Sequence, residues 1–262
     1  MKKIEDITVK KLLRIGKGWC GGLTIMPKGD KYTLYGVNDK SGKIGMMDPH
    51  TGAYLGTLET DLGDDIKDIS WDRGSFFWCS AMGDKYHKLS VSGGNTVQTI
   101  GRPKHGFGIF CDHNEDNVLW CTALLDNKVI KKSLKDGSIL KEIKLSFSPK
   151  GIARSGEYLW ITKDGGGEKT GKLFKVDMDG NILETFEFPE STYSASVAGM
   201  CIDQDGYLWV YGGLCTSIYK LDINNAISPT PDPPPPPTPE TDEDKEDFLR
   251  LIIKFIRGIF NW

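Results

Sequence analysis

The sequence has few of the features that mark metal-binding and redox proteins. Its 262 residues include only 4 histidines and 6 cysteines, and no two cysteines form a Cys-x-x-Cys pair. This excludes a zinc ribbon and a thioredoxin-like motif. We expect the cysteines to be small buried side chains in a reducing compartment, with a disulfide between neighbouring repeats as the alternative. We predict no metal site and no cofactor.

The sequence also lacks a strong excess of charge of either sign. The formal net charge is −3, so nucleic acid is not an expected partner. The N-terminal stretch Met1-Lys-Lys-Ile-Glu-Asp6 carries charges where a signal peptide needs an apolar core. We therefore expect a protein made in the cytoplasm without a signal peptide.

A pair of residues, one apolar and one aromatic, recurs along the chain at intervals of roughly 40 to 50 residues, the spacing of a structural repeat. Each pair follows a polar turn and lies in a short run rich in β-branched and aromatic residues, as strands do. The pairs are Leu34-Tyr35, Phe77-Trp78, Leu119-Trp120, Leu159-Trp160 and Leu208-Trp209. We interpret the aromatic residues as packing between sheets, with ligand contact as the alternative.

Each repeat has room for four short strands, which is the composition of a β-propeller blade. The fifth repeat lacks its fourth strand, because Ser228-Pro229 begins a Pro-rich segment, whereas an unassigned strand lies near the N-terminus at 7–13. We predict an all-β, five-bladed propeller over residues 4–228, in which this N-terminal strand pairs with 218–222. Such closure leaves no open sheet edge at the seam. An antiparallel sandwich is the alternative, although sandwiches rarely keep so even a period.

The repeats resemble the NHL-like and streptogramin-lyase-like propellers, which have Asp-x-x-Gly-x-Leu-Trp hairpins like the one from Asp203 to Trp209. The resemblance implies the propeller fold. Because streptogramin-lyase-like enzymes use His and Glu with a divalent metal, it also implies a metal-assisted reaction as one activity to test. No catalytic residue is carried over to this sequence.

The C-terminal part has a different composition from the repeats. Residues 229–240 are a Pro-rich linker that cannot enter a sheet and should be extended. Residues 241–262 are predicted to form an amphipathic helix, since cations lie opposite an apolar face. That face consists of Phe248, Leu251, Ile252, Phe255, Ile256, Ile259 and Phe260.

The predicted helix is too short to cross a bilayer, at roughly 22 Å for its apolar stretch. We expect it to be an assembly element. It could bind copies of itself, a groove on a shell or tail protein, or a membrane surface. Pro-rich spacers with such helices are similar to those of some bacteriophage-encoded proteins of Gram-positive hosts. This resemblance implies a virion-associated structural protein.

Polar loops at one end of the predicted propeller form the candidate ligand site. They connect the second and third strands of a blade, or one blade to the next. Their acids and bases alternate around a central funnel, which suits a polar ligand such as a glycan. Ordinary solvated turns are the alternative. The candidate residues are Trp19, Asp39, Lys40, Asp64, Asp65, Asp84, Lys85, His105, Asp126, Lys128, Asp164 and Lys169.

Three functional hypotheses follow from these features. The first is a non-enzymatic recognition propeller for a glycan or protein, attached to an assembly by its C-terminal helix. The second is a metal-assisted lyase or hydrolase acting in the funnel, where His105 is the best-placed histidine. The third is an intracellular scaffold addressed to a protein shell. The fold alone does not decide among them, because propellers serve both enzymes and binding proteins.

Deleting residues 242–262 should leave a folded, monomeric propeller and remove self-association or liposome binding. Light scattering and liposome sedimentation of the full-length and truncated proteins check this. An unchanged oligomer size, with no liposome binding by either protein, would contradict the assembly role.

Overall fold

A computed structural model describes residues 2–3, 8–14, 21–28, 31–38, 42–63, 66–81, 83–163, 171–188, 197–212 and 217–223. All of them lie in the first of two compact units, Met1–Ala226. The second unit, Ile227–Trp262, lies outside the described residues, and so do the predicted linker and helix. The described part of the chain contains no helix that could span a membrane.

Five antiparallel sheets confirm the predicted five-bladed β-propeller. Blade 1 consists of β3 (Leu23–Lys28), β4 (Lys31–Asn38), β5 (Lys43–Met47) and β6 (Tyr54–Glu59). Blade 2 consists of β7 (Ile66–Trp71), β8 (Phe76–Ala81), β9 (Lys85–Ser90) and β10 (Thr96–Gly101). Blade 3 consists of β11 (Gly106–Cys111), β12 (Val118–Ala123), β13 (Lys128–Ser133) and β14 (Ile139–Lys144). A 3-10 turn at Leu124–Asp126 joins β12 to β13.

The last two blades use strands from both ends of the propeller sequence. Blade 4 consists of β15 (Pro149–Ser155), β16 (Tyr158–Lys163), β17 (Lys172–Val176) and β18 (Ile182–Glu187). Blade 5 consists of β19 (Val197–Ile202), β20 (Leu208–Gly212), β21 (Ser217–Asp222) and the N-terminal β2 (Thr8–Arg14).

The predicted closure is confirmed, because β2 pairs antiparallel with β21, with Thr8 opposite Asp222 and Leu13 opposite Ile218. A feature that the sequence did not predict is β1 (Lys2–Lys3), which adds a parallel fifth strand to the edge of β18. Two residues are too few to show a strand pattern in a sequence.

The repeated aromatic residues lie in the core, as the packing interpretation expects. Trp78, Trp120, Trp160 and Trp209 are all buried, and so is Tyr35 at the equivalent place in blade 1. Side chains of this size dominate the apolar area removed from water when blades pack together.

The first strand of each blade lies innermost, and these strands contact one another around the axis. One position of the five first strands is almost always glycine. It falls two residues before the residue that faces the repeat aromatic across the first hairpin. We call this set the axial ring: Gly22, Asp68, Gly108, Gly151 and Gly199.

Glycine is required at three positions of the axial ring, Gly22, Gly108 and Gly199, because the neighbouring strand lies too close there for a Cβ. A Cβ on Gly108 would lie 2.2 Å from the carbonyl oxygen of Lys150, and one on Gly199 would lie 2.5 Å from that of Gly21. A Cβ on Gly22 would lie 2.2 Å from a carboxylate oxygen of Asp68. No side chain fits at these distances.

Asp68, the one member of the axial ring with a side chain, holds three blades together. Its carboxylate accepts hydrogen bonds from the backbone N–H groups of Ile69 at 2.9 Å and Ile109 at 2.8 Å. The N–H of Leu23, in blade 1, also donates to it. Burial raises the pKa of Asp68 well above its usual value, and the three donors oppose that rise.

Each outermost strand contains a β-bulge at which one residue has no partner on the neighbouring strand. The unpaired residues are Leu55, Val97, Leu140 and Leu183 in blades 1 to 4, and Lys10 in blade 5. The four apolar residues are each about half exposed. A bulge interrupts the hydrogen-bonding pattern of an edge strand and increases its twist.

The blade connections define two faces. The hairpin face carries the turns between first and second strands, at 72–75, 112–117, 156–157 and 203–207. The crossover face carries the connections between second and third strands, such as 83–84 and 124–127. It also carries the connections between blades, such as 102–105 and 145–148.

Gly108→Ala should destabilise the propeller by roughly 1–3 kcal/mol, because the added methyl meets backbone that must move. Gly101→Ala is the matched control: it lies in a strand, and a Cβ there meets no atom within 4 Å. Urea unfolding of both variants checks this. Equal free energies of unfolding would mean that the axial ring is not tightly packed.

Candidate functional site

A cavity of about 510 Å³ lies at the axis on the hairpin face, and all five blades contribute to it. It is lined by Ile25, Pro27, Tyr32, Trp71, Arg73, Phe110, His113, Asn114, Arg154, Ser155, Gly156, Ile202, Asp203 and Gln204. The axial ring brings the first strands together nearer the crossover face. Side chains replace glycine further along these strands, so the cavity opens towards the hairpin face.

Equivalent positions of the first strands supply four of the lining residues. Ile25, Trp71, Arg154 and Ile202 each follow the residue that faces the repeat aromatic. The shared backbone therefore aims three kinds of side chain, isoleucine, tryptophan and arginine, at one space. The cavity is asymmetric although the frame is repeated.

The aromatic wall of the cavity is held in a fixed orientation. Trp71 Nε1 donates to the carbonyl oxygen of Gly74 at 2.8 Å, and its backbone N–H donates to Thr24 Oγ1 at 2.9 Å. His113 packs edge-on against the Trp71 ring, with centroids 5.2 Å apart, and lies 6.0 Å from the Phe110 ring. Ordered rings can bind a ligand without losing much side-chain entropy.

His113 is a neutral donor in this wall. Burial lowers its pKa, and the hydrogen bond to the Trp71 carbonyl only partly opposes that shift. The carbonyl oxygen, 3.1 Å from Nε2, can only accept, so Nε2 carries the proton. Nδ1 of the neutral ring is then unprotonated.

Arg154 is committed to structure, although it lines the cavity. Its side chain is 10% exposed, and its Nη1 contacts the fully buried carboxylate of Asp112 and, at 2.6 Å, that of Glu115. Nε donates to the Gly156 carbonyl oxygen at 2.9 Å. Trp120 Nε1 donates to the same Asp112 carboxylate at 2.8 Å. Arg154 thus joins blade 4 to blade 3 and brings little unpaired charge.

Asp203 is likewise satisfied. Its Oδ2 accepts a hydrogen bond from Trp209 Nε1 at 2.8 Å and lies 3.0 Å from Lys220 Nζ. Its Oδ1 accepts from the backbone N–H groups of Asp205 and Tyr207 at 3.0 and 2.9 Å. This accounts for the first Asp of the Asp-x-x-Gly-x-Leu-Trp hairpin, whose carboxylate ties the turn to the second and third strands.

Blade 2 lacks the hydrogen bond from the repeat tryptophan to the turn aspartate that blades 3 and 5 have. Asp72 pairs with Lys88 at 2.6 Å, while Trp78 Nε1 is buried with no hydrogen-bond partner among the described residues. Burial without a partner is costly for such a donor. The turn that follows Asp72 also places Arg73 in the left-handed region, at φ 50°.

The described members of the predicted ligand ring lie on the crossover face, away from this cavity. Asp84, Lys85, His105, Asp126 and Lys128 are not among its lining residues. Lys128 pairs with Glu142 at 3.0 Å. The other candidates lie outside the described residues: Trp19, Asp39, Lys40, Asp64, Asp65, Asp164 and Lys169. A ligand on the crossover face therefore stays a prediction.

The sequence analysis missed the cavity because its residues lie at the ends of first strands and in the turns that follow them, where the sequence shows only ordinary strand and turn residues. The signal that could have found it is the glycine at the same place in four first strands. That pattern shows where the axis is closed, and the cavity lies at the other end. No group of three His, Cys, Asp or Glu side chains within the described ranges could hold a metal ion.

The fold defines the chain as a five-bladed β-propeller. A scan against protein-family models finds no match, and a search of curated proteins finds none. Among solved structures, glutaminyl cyclase of Myxococcus xanthus is similar with a TM-score of 0.66 at 8% identity. The match covers 82% of this chain and 94% of the cyclase.

Two further solved structures share the fold at a TM-score of 0.50 and 16% identity. Streptogramin B lyase matches over 81% of this chain and 96% of its own. Hydrazine synthase of Kuenenia stuttgartiensis matches over 74% of this chain and 55% of its own. The resemblance to streptogramin-lyase-like propellers is thus confirmed at the level of fold. At these identities, fold is all that the similarities show.

Arg154→Met should lower the free energy of unfolding by about 3 kcal/mol, because it leaves the buried Asp112 carboxylate without its cation. Glu157→Gln is the control, since its 85% exposed carboxylate lies 4.0 Å from Arg154 and should change stability by less than about 0.5 kcal/mol. Urea denaturation measures both. A small loss for Arg154→Met would show that Arg154 is not a structural link between blades.

Proposed function

We propose that this propeller is a non-enzymatic recognition module that binds a glycan in the cavity on the hairpin face. The observation that supports the proposal is the cavity itself, which combines an ordered aromatic wall with polar groups at one rim. Its volume falls in the range typical of small-ligand sites. A protein loop carrying an aromatic or polar tip is the second ligand that such a cavity would admit.

The chemistry of the lining suits a sugar ring. A sugar has apolar C–H faces and hydroxyl edges, so it needs flat apolar walls and hydrogen-bonding groups together. Trp71, Phe110 and the partly buried Tyr32 supply the walls. Asn114 and Gln204 lie at the exposed edge, where Gln204 already accepts a hydrogen bond from the Tyr32 hydroxyl at 3.2 Å.

The wider proposal is that recognition is coupled to assembly. In it, the C-terminal residues 241–262 attach the propeller to a larger structure such as a virion, and the propeller supplies binding specificity. A Pro-rich segment like 229–240 would act as a semi-rigid spacer between the two functions. The support is the sequence pattern of the tail.

A lyase or hydrolase acting in the same cavity is the alternative, and His113 is the observation that favours it. A neutral imidazole with one unprotonated nitrogen beside a cavity is suited to general base catalysis. If it is the base, His113→Gln should abolish turnover of the bound glycan. For a binding module, no product forms with either protein. Mass spectrometry of the glycan after incubation distinguishes the two.

Trp71→Ala should weaken glycan binding at least tenfold, because a central aromatic contact typically contributes about 2 kcal/mol. Isothermal titration of the full chain, with oligosaccharides selected on an array, measures this. Tyr32→Phe removes only the hydroxyl that binds Gln204 and should have a smaller effect. Thermal unfolding of both variants checks that they remain folded.

The double variant Asp84→Asn, Lys85→Gln is the matched control on the crossover face. It should bind the glycan as tightly as the unaltered chain. Loss of binding in this control, with Trp71→Ala unaffected, would move the site to the crossover face, where the sequence placed it. Failure of every glycan to bind would overturn the proposed function.

A further inference from the structure

Two arginines line the cavity, and they differ in how their charges are satisfied. Arg154 is 10% exposed and contacts two carboxylates, so its guanidinium is committed. Arg73 has an exposed side chain and, among the described residues, one carboxylate partner, Asp116, at 3.2 Å. The Asp116 side chain is 86% exposed, and an ion pair of that kind contributes little to stability. An incoming anion can therefore replace Asp116 at Arg73 at small cost.

The backbone at Arg73 has a conformation that is unusual for arginine. Its φ of 50° lies in the left-handed region, which glycine or asparagine adopts more easily than arginine. Strain of this kind tends to persist where the side chain has a function. Arg73 is also close enough to the cavity wall for its positive charge to contribute to the lowered pKa of His113.

The other titratable groups around the cavity neither occupy the Arg73 guanidinium nor bind an anion in its place. Asp203 is satisfied by Lys220, Trp209 and two backbone N–H groups, and His113 is held neutral by burial. Asp72, next to Arg73 in the chain, is paired with Lys88 at 2.6 Å. Among the described lining residues, Arg73 is thus the cation that a ligand can reach most easily.

We infer that the cavity prefers acidic sugars, with the ring against the aromatic wall and a carboxylate or sulfate on the Arg73 guanidinium. This inference rests on the proposed function, since it specifies the ligand class of the same cavity. The planar fork of a guanidinium matches the two oxygens of a carboxylate or sulfate. Trp71 and Arg73 both line the cavity, so a sugar ring on the first can carry an anionic substituent towards the second.

The first experiment is an array that holds neutral oligosaccharides beside matched uronate, sialylated and sulfated ones, probed with the full chain at low salt. We expect the acidic members to bind in preference to the neutral ones. Comparing the carboxylated oligosaccharides with the sulfated ones shows which anion is preferred. Binding to no glycan would overturn the proposed function together with this inference, whereas equal binding of neutral and acidic glycans would overturn the inference alone.

Isothermal titration then isolates the charge, using tetragalacturonate and its fully methyl-esterified form, which has the same rings. The acid should bind about tenfold more tightly than the ester, as expected for a hydrogen bond to a charged group. Raising the salt concentration should reduce that ratio. A ratio near one would overturn the inference.

The decisive variant is Arg73→Asn. Asparagine tolerates the left-handed backbone, so the turn should remain intact while the cation is lost. We expect the acid-to-ester ratio to fall to about one and binding of the ester to stay unchanged. Lys85→Gln removes an equal charge from the crossover face and should keep the full ratio. A preference for the acid that survives in Arg73→Asn would overturn the assignment to Arg73.

Discussion

Close approach of five backbones around one axis is the constraint on which the rest of this propeller depends. At the axial ring, a methyl group on Gly108 or Gly199 would overlap neighbouring backbone atoms. Asp68 is admitted there because its carboxylate satisfies N–H groups of three blades. The ring closes the axis near one end and leaves the other end open. Glycine placement therefore accounts for the position of the cavity on the hairpin face.

Residues that recur from blade to blade form the packed frame, whereas residues that differ between blades line the cavity. Buried Trp residues and Asp-capped turns recur between blades and explain packing. By contrast, Trp71, Arg154 and Ile202 occupy equivalent places and differ in size, shape and charge. Residues that pack the blades and residues that line the cavity thus occupy different positions of the same strands. The fold is shared with glutaminyl cyclase and streptogramin B lyase at 8% and 16% identity.

The architecture could be predicted from the sequence, because local residue patterns indicate the number of strands, their spacing and the closure of the ring. The five aromatic pairs set the number of blades, and the unassigned strand near residues 7–13 predicted the seam. Which end of the axis is open depends on the register between hairpin strands, which places Gly22 level with Asp68. Single segments do not reveal that register. Arg73 was also invisible, since neither its φ nor its weak ion pair has a sequence signature.

The bulges in the outermost strands have a consequence for behaviour in concentrated solution. Outer edges of propeller blades offer unpaired N–H and C=O groups to any extended chain nearby. Here the bulge in each edge strand interrupts the regular spacing of those groups. A straight strand from another molecule could therefore form only a few hydrogen bonds in register with it. The edge of β18 has β1 against it. We therefore expect the propeller to resist fibrillar growth at high concentration despite the apolar side chains around its circumference.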